Sequence, residues 1–514
     1  MAEFDFIVVG AGAGGAVTAN RLTENPDVKV LLLEAGSGQL PDNVHIPPAW
    51  FTLLGPQNSW DWGYISTPQA ALNNRQIYEP RGKFLGGSSN YYIMMHIRGH
   101  RSDFDNWAYN GAPGWSYQDI LPYFQKLEDQ DDNTNPTAGH GGMIAVNNAR
   151  NYGPNPTSAA FIEACAELGY PRTDDFNDPD CMEGTGWHHI NVKNGRRHGA
   201  YAAYLEPILG KRPNLTVSTD SVAAKLLFKG KRCTGVQYTQ NGETKTATVT
   251  GEVIVCSGAM ESPKLLLLSG IGSPEQLKQH GIPVIADVPG VGENFHNHVL
   301  TGVIYETKGP VPPPNQNLSE AALFCKSEPG WMGPDIQIAF VHVPFDIIIG
   351  QSNPNAVSIL PGVVRPLSRG WIRLASSDPM ERPLVNAAYL SDRSDLRRLA
   401  ESVKLARDIF HTNAFSEWLT GKELLPGPDF EGDDKLEAFV RQRADSYHHQ
   451  AGSCKMGVDN MAVVDPQLRV YGVEGVRVAD ASVMPVVVSG NCHAAILAIA
   501  EKCSDLVKAD HHLN

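Results

Sequence analysis

The stretch from Phe4 to Glu34 constrains this chain more than any other. Phe6, Ile7, Val8 and Val9 form a short apolar run rich in β-branched residues, the mark of a strand buried on both faces. Gly10, Gly12 and Gly15 follow at G-x-G-x-x-G spacing, and an Ala-rich segment through Leu22 reads as a helix. A second apolar run, Val28 to Leu33, ends in Glu34, at about the twenty-residue distance expected of an acid that meets a ribose. Gly10 permits the tight turn, Gly12 lets backbone approach a pyrophosphate, and Gly15 lets the helix lie close to the strand. The helix N-terminus then faces the phosphates, and the carboxylate accepts hydrogen bonds from ribose hydroxyls. Taken alone, this fingerprint specifies a dinucleotide and leaves open which one.

Composition sets outer bounds. At 514 residues the chain exceeds one ordinary domain and predicts roughly two or three. Its 42% hydrophobic and 19% charged content describes a globular protein with ample core. The net charge of −14 and the lack of any Lys/Arg run argue against a nucleic-acid partner, which needs clustered basic residues. The first strand begins within a few residues of Met1, so no secretory leader is expected, and a cytoplasmic location is. The longest apolar runs, such as Leu265 to Leu268 and Ile347 to Ile349, fall far short of a membrane span. Cys165, Cys181, Cys233, Cys256, Cys325, Cys454, Cys492 and Cys503 form neither a C-x-x-C pair nor a zinc-ligand spacing. They read as free thiols in a reducing compartment, and no metal site is expected.

Further along, a Pro- and aromatic-rich region through Trp60 and Trp62 leads to PRGKFLGGSS from Pro80. Its small residues suit close backbone approach to a ligand, with Arg81 and Lys83 alongside. Helical character extends from Asp103 to Leu127, with Trp107, Leu121 and Phe124 as core, and again from Ser158 to Leu168. Asn194-Gly195 signals a hairpin turn. Leu215 to Val217, Ala223 to Phe228, Thr234 to Tyr238 and Thr246 to Val249 read as short strands of a small antiparallel sheet. The run Glu252 to Ala259 is a second buried strand of the parallel type, followed by a helix from Ser262 to Leu268. A Pro-rich connection between Thr307 and Pro314 marks entry into a separate domain. Strands at Ile336 to Phe340 and Trp371 to Leu374 and helices at Ser394 to Phe410 and Asp434 to Ala444 are expected there. A last helix runs from Ala494 to about Lys508.

These segments, in this order, resemble the glucose–methanol–choline (GMC) family of flavin oxidoreductases over essentially the whole chain. The likeness is carried by the N-terminal glycines, PRGKFLGGSS, SGAMESPKLLLLSGIG from Ser257, GVGENFHNH from Gly290, AGSCKMG from Ala451, VRVADASVMP from Val476 and SGNCHAA from Ser489. It implies an α/β protein, α+β overall. A Rossmann-type FAD-binding domain is assembled from discontinuous segments, and a substrate domain carries a largely antiparallel sheet with flanking helices. On that pattern the FAD-binding segments are 1–150, with a flavin-covering loop near 50–100, and 185–305. Residues 306–444 form the substrate domain with help from 151–184, and 445–514 return to the flavin and the chemistry.

The family's catalytic pair falls on two positions here. Counting back from Cys454-Lys455-Met456-Gly457 places its first histidine at His449, and the second position is His493. Alcohol oxidation moves a hydride to flavin N5 and removes the hydroxyl proton, which a neutral imidazole can accept. The resemblance makes His449 the general base and His493 the partner that holds the hydroxyl oxygen; a one-residue slip would substitute His448. It also assigns flavin contacts to Gly10, Gly12, Gly15, Glu34, Arg81, Gly86, Ser88, Val222, Asp480 and Ala481, and aims the N-terminus of the last helix at the flavin pyrimidine ring. A small-molecule alcohol and an oxygen or quinone-type electron acceptor are the implied partners.

Four positions differ from residues found in relatives. Tyr92 stands where an Asn is usual, and Tyr91 where covalent members have the flavin-linking histidine, so dissociable FAD is expected. His448 replaces an aromatic residue and Gln450 a proline beside the catalytic histidine. The expected reaction is oxidation of a primary or aromatic alcohol to the aldehyde. The alternative is non-redox or light-driven chemistry on the same frame, as in hydroxynitrile lyases and fatty-acid photodecarboxylases. Against the latter, Val364 occupies the site of the photodecarboxylases' cysteine before Arg365-Pro366, and they lack a histidine at the place of His493.

Overall fold

The computed structural model describes residues 3–345 and 353–513. The apolar run Ile347 to Ile349 lies outside them. No helix among the described residues is long and apolar enough to cross a membrane.

The first strand, Glu3–Val9, sits inside a seven-stranded sheet. It pairs in parallel with Val30–Leu33 on one side, Val9 opposite Leu33, and with the end of Glu243–Val255 on the other, Val9 opposite Val255. Leu215–Ser218 extends the parallel array beyond Val30–Leu33, and Val476–Val478 joins it beside Val253–Val255. The helix Ala13–Leu22 and the last helix, His493–Asp510, share the core that this sheet builds. Buried Glu501 ties the two helices together by accepting from Arg21 and from the Tyr204 hydroxyl.

The expected small antiparallel sheet is not separate: Ser221–Lys229 and Arg232–Gln240 pair antiparallel, but within the same seven-stranded sheet. Thr246 to Val249 and Val253 to Val255 belong to one strand, Glu243–Val255, whose first half pairs antiparallel with Arg232–Gln240 and whose second half is parallel to its neighbours. Gly251 makes the sequence look broken at this point. A Cβ there would come within 2.5 Å of the Asp5 carbonyl, where the register with the first strand shifts. The predicted helix from Asp103 to Leu127 is likewise two helices, Arg101–Tyr109 and Tyr117–Leu127, each opened by a capping box. The break falls in Asn110-Gly111-Ala112-Pro113-Gly114, and Gly111 and Gly114 both have positive φ.

A second sheet of eight strands is antiparallel throughout, running Leu419–Leu425, Val303–Thr307, Ala356–Val363, Ile336–Val341, Ala321–Cys325 and Gly184–Trp187. Val299–Leu300 pairs with both Ala356–Val363 and Asp445–Ser446. The expected segment limits near 185 and 305 therefore fall inside strands of this sheet, because strands buried on both faces show no change of composition at such a crossing. Trp371–Arg373 stands apart from it, paired among the described strands with Leu384–Asn386. Side chains alternate as a pleated strand requires. Ile338 and Phe340 pack with the helices Pro156–Glu167, Arg393–Phe410 and Asp433–Arg443. Ala339 and Val341 turn the other way, towards Leu300, Leu318, Leu360 and Tyr447. That second face forms one wall of a large cavity.

Candidate active site

One elongated cavity of about 860 Å³ runs from Glu34 at the edge of the parallel sheet to His449 and His493 beside the antiparallel one. Its first end is made of backbone. Gly12 begins the first helix with no side-chain cap, and a Cβ there would meet nothing within 4 Å, so the helix N-terminus opens onto the void. Gly15 lies behind it, and a Cβ there would sit 1.8 Å from the Gly10 carbonyl oxygen. Glu34 is buried and accepts from the Ala11 and Gly36 amides at 2.9 and 2.8 Å. Burial pushes its carboxyl up to about 7, against the pull of those two amides.

Of the residues expected at the cofactor, Gly10, Gly12, Glu34, Arg81, Ser88, Val222, Asp480 and Ala481 line this cavity. Gly15 and Gly86 do not. Gly15 serves the packing of helix on strand, and Gly86, with φ of 93°, packs against Asn90 in the turn behind the wall. Asp480 is occupied internally: it accepts from the Gly258 amide, the Ser262 hydroxyl and the Ser482 amide, pinning the helix Gly258–Leu268 to the C-terminal segment. An extended void beginning at an uncapped helix N-terminus, with a buried acid at its rim, fits the adenosine diphosphate half of FAD. The last helix, also without a side-chain cap, brings its first turn to the far end through Cys492, His493 and Ile496.

The far end is made of side chains. The His449 amide donates to Asn297 Oδ1 at 2.8 Å, and its ring sits between Asn491 and His298. Gln337 donates to Asn491 Oδ1, which turns the Asn491 amide nitrogen towards His449 Nε2 at 3.1 Å. In that network Nε2 is the bare nitrogen, and Nδ1 carries the proton that His298 Nδ1 accepts at 3.0 Å. Burial, reinforced by His298, His448 and Arg81, holds the His449 ring well below the usual histidine range. Burial lowers His298, His448 and His493 to about 3 each. All four imidazoles are therefore neutral at physiological pH.

His493 has neither ring nitrogen bonded to protein, although it is only 7% exposed. Its ring lies tilted on Tyr92, centroids 4.4 Å apart, and the Tyr92 hydroxyl donates to Asn191 Oδ1 at 2.7 Å. His448 also reaches the cavity, but its backbone is left-handed, with φ of 66°, and its carbonyl accepts from Arg81. Beyond the histidines the wall is apolar and aromatic, formed by Trp50, Phe51, Leu318, Phe345, Leu360 and Tyr447.

His298, Asn297 and Asn491 were not singled out from the sequence, though they stand in the GVGENFHNH and SGNCHAA segments. Glu79, buried behind His449, lies just ahead of PRGKFLGGSS and carried no signal at all, because its partners come from three distant segments.

Comparison with known proteins completes the picture. Family models described as GMC oxidoreductase match residues 4–300 and 366–500. The mitochondrial choline dehydrogenase of Mus musculus is 38% identical over 541 residues, covering 98% of this chain and 89% of its own. The oxygen-dependent choline dehydrogenase of Burkholderia thailandensis is 39% identical, covering 98% and 94%. Among solved structures, pyridoxine 4-oxidase from Mesorbium loti superposes with a TM-score of 0.93 at 32% identity over 99% of each chain. Formate oxidase of Aspergillus oryzae RIB40 gives 0.91 at 26% identity, again over 99% of each.

Proposed function

Because this chain belongs to the GMC oxidoreductase family and is an FAD-dependent oxidoreductase, we propose that it oxidises a primary or aromatic alcohol to the aldehyde, with His449 as general base. The observation that carries the reading is the pair of neutral histidines at one end of the cavity: His493 has both ring nitrogens unbonded, and the lone pair of His449 Nε2 is met by the Asn491 side-chain amide, which a substrate hydroxyl can replace. FAD, when bound, supplies the hydride acceptor at N5. With the substrate hydroxyl in place of the Asn491 amide at Nε2, His449 takes the hydroxyl proton there, and the His298 lone pair stabilises the resulting imidazolium through Nδ1–H. His493 donates to the substrate oxygen from a ring whose tilt is set by Tyr92. The uncapped N-terminus of the last helix brings partial positive charge to this end of the cavity, where it would favour a reduced, negative flavin. Gly10, Gly12, Glu34, Arg81, Ser88, Val222, Asp480 and Ala481 form the cofactor-facing wall, with Gly15 and Gly86 shaping its turns.

The aromatic and aliphatic wall beyond the histidines supports an alcohol with an apolar body. Tyr91 stands where covalent relatives have the linking histidine and cannot make that bond, and its hydroxyl is directed at Asp61, which supports non-covalent FAD. The test is anaerobic stopped-flow reduction of the flavin across a panel of aryl, alkyl and amino alcohols, choline among them, followed by reoxidation with oxygen and with a quinone. Bleaching by an aryl or alkyl primary alcohol, lost in His449→Ala, is the expected result. A flavin that no alcohol bleaches would sink the proposal.

A further inference from the structure

Glu79 is fully buried beside the catalytic loop, and its carboxylate collects four donors. The Tyr389 hydroxyl donates at 2.5 Å, the Ser446 hydroxyl at 2.8 Å and the Asn297 amide at 3.3 Å, and the Gln450 side-chain amide folds back onto the same oxygen as the last two. Two of these donors pass the constraint on to the loop backbone. Ser446 Oγ accepts from the His448 amide, and Asn297 Oδ1 accepts from the His449 amide. Arg81, two residues beyond Glu79, clamps the His448 carbonyl. The segment Glu79–Arg81 thus grips residues 446–450 from both sides, with a carboxylate on the donors and a guanidinium on a carbonyl.

This grip answers the missing ring at position 450. A proline there would preset one backbone angle of the catalytic loop, whereas Gln450 leaves that angle free and supplies an amide for Glu79 instead. We propose that Glu79 is a positioning residue for His449, fixing it through Asn297 and Gln450 in place of a proline. The inference rests on the reading of His449 as the base of an alcohol oxidation.

Ionisation of Glu79 has a consequence for rate. The ionised carboxylate accepts all four bonds, while the protonated acid must donate one and forfeits part of the set. Burial, against those donors and Arg81, pushes this carboxyl up to about 7. The other titratable and charged groups around it are Tyr389, Arg81, His448 and His449, with Asp445 beyond Tyr389. His449 itself is held too low to titrate near neutrality, and burial pushes Asp445 up to about 6.

In the FAD-loaded enzyme, flavin reduction at saturating alcohol should therefore fall as pH drops through about 7. Glu79→Gln should lower the rate by up to about 100-fold, the scale of a misplaced reacting group, and erase that limb. Pairing it with Gln450→Glu, which reverses donor and acceptor, should recover part of the rate. A limb that survives Glu79→Gln belongs to Asp445 and overturns the inference, as does an unchanged rate. If Glu79→Gln fails to fold, Gln450→Leu keeps the carboxylate and removes one donor. It should slow reduction and move the limb to higher pH, and no change in either overturns the inference. Histidine ring NMR of the holoenzyme reads the same coupling without turnover. A His449 signal that shifts with the Glu79 titration in the wild type and not in Glu79→Gln supports the inference, and its absence overturns it. No reduction by any alcohol, with the shift present, sinks the alcohol reading alone.

Discussion

The two ends of the cavity are built from different materials. Around Gly12 the wall is backbone, and what matters is the side chains that are absent: a Cβ at Gly15 would sit inside the Gly10 carbonyl. Around His449 the wall is side chains from separate segments, Tyr92, His449, Asn491 and His493, with His298 behind His449 and Asn191 behind Tyr92. Holding the cofactor and doing the chemistry are thus separable properties of this fold. Damage at one end should leave the other intact.

The largest break should come at the backbone end. Gly15→Val forces the helix off the strand and closes the pyrophosphate approach, so the purified protein should carry no FAD, read as the ratio of flavin to protein absorbance. Flavin retained at the wild-type ratio would show that the turn tolerates a side chain and that the contrast is false. His449→Ala should do the opposite. FAD stays bound at the wild-type ratio while its reduction by alcohol slows by about 10²–10⁴-fold, the usual worth of a general base. Loss of both together would mean that the two ends are not separable.

The same contrast explains what could be read from the chain alone. A backbone site needs its glycines in one contiguous turn, so strand, Gly10, Gly12, Gly15, helix and Glu34 announce themselves by spacing. The strand that precedes the glycines, the one that ends at Glu34 and the last helix were equally open to view. By contrast, Leu215–Ser218, expected in an antiparallel sheet, is parallel to Val30–Leu33, and Val476–Val478 was not read as a strand. Glu243–Val255 was not open to view as one strand, because Gly251 mimics a strand end while serving close contact with the first strand. At the side-chain end, His449 and His493 came from resemblance to a family, not from any local pattern. Their supports had no pattern to find: Glu79, Asn297, Tyr389 and Gln450 meet only through tertiary folding, and no period or spacing links them.

A smaller effect sharpens the side-chain end. The Tyr92 ring lies on His493, and its hydroxyl is tied to Asn191, which in turn meets His96 beside Glu128. If the ring's role is to orient His493, Tyr92→Ala should slow flavin reduction by up to about tenfold, the rate equivalent of an aromatic pair worth about 0.5–1.5 kcal/mol. Tyr92→Phe, which keeps the ring and drops the bond, should cost much less. The reverse order would shift the importance from the stacking to the Asn191 bond.

The finest distinction is one of sign. Glu34 holds its proton more tightly in the folded chain, about 7 against an ordinary 4.5, because burial disfavours its charge. Its contribution to the stability of the flavin-free protein is full below 4.5 and is lost as pH rises through about 7. His493 is the converse, lowered from 6.5 to about 3, so its contribution is full above 6.5 and is lost as pH falls through about 3. His298 and His448 act in the same direction as His493. Denaturant melts of the flavin-free protein across pH should therefore carry two contributions of opposite slope, the histidines acting alone below 4.5 and opposed by Glu34 between 4.5 and 6.5, each residue adding at most about 1.4 kcal/mol per pH unit. Glu34→Gln should flatten only the slope towards higher pH, and His493→Asn only the slope towards lower pH. Should either substitution flatten both, the buried charges at the two ends are coupled through the protein, and the division between a backbone end and a side-chain end is one of geometry without being one of energy.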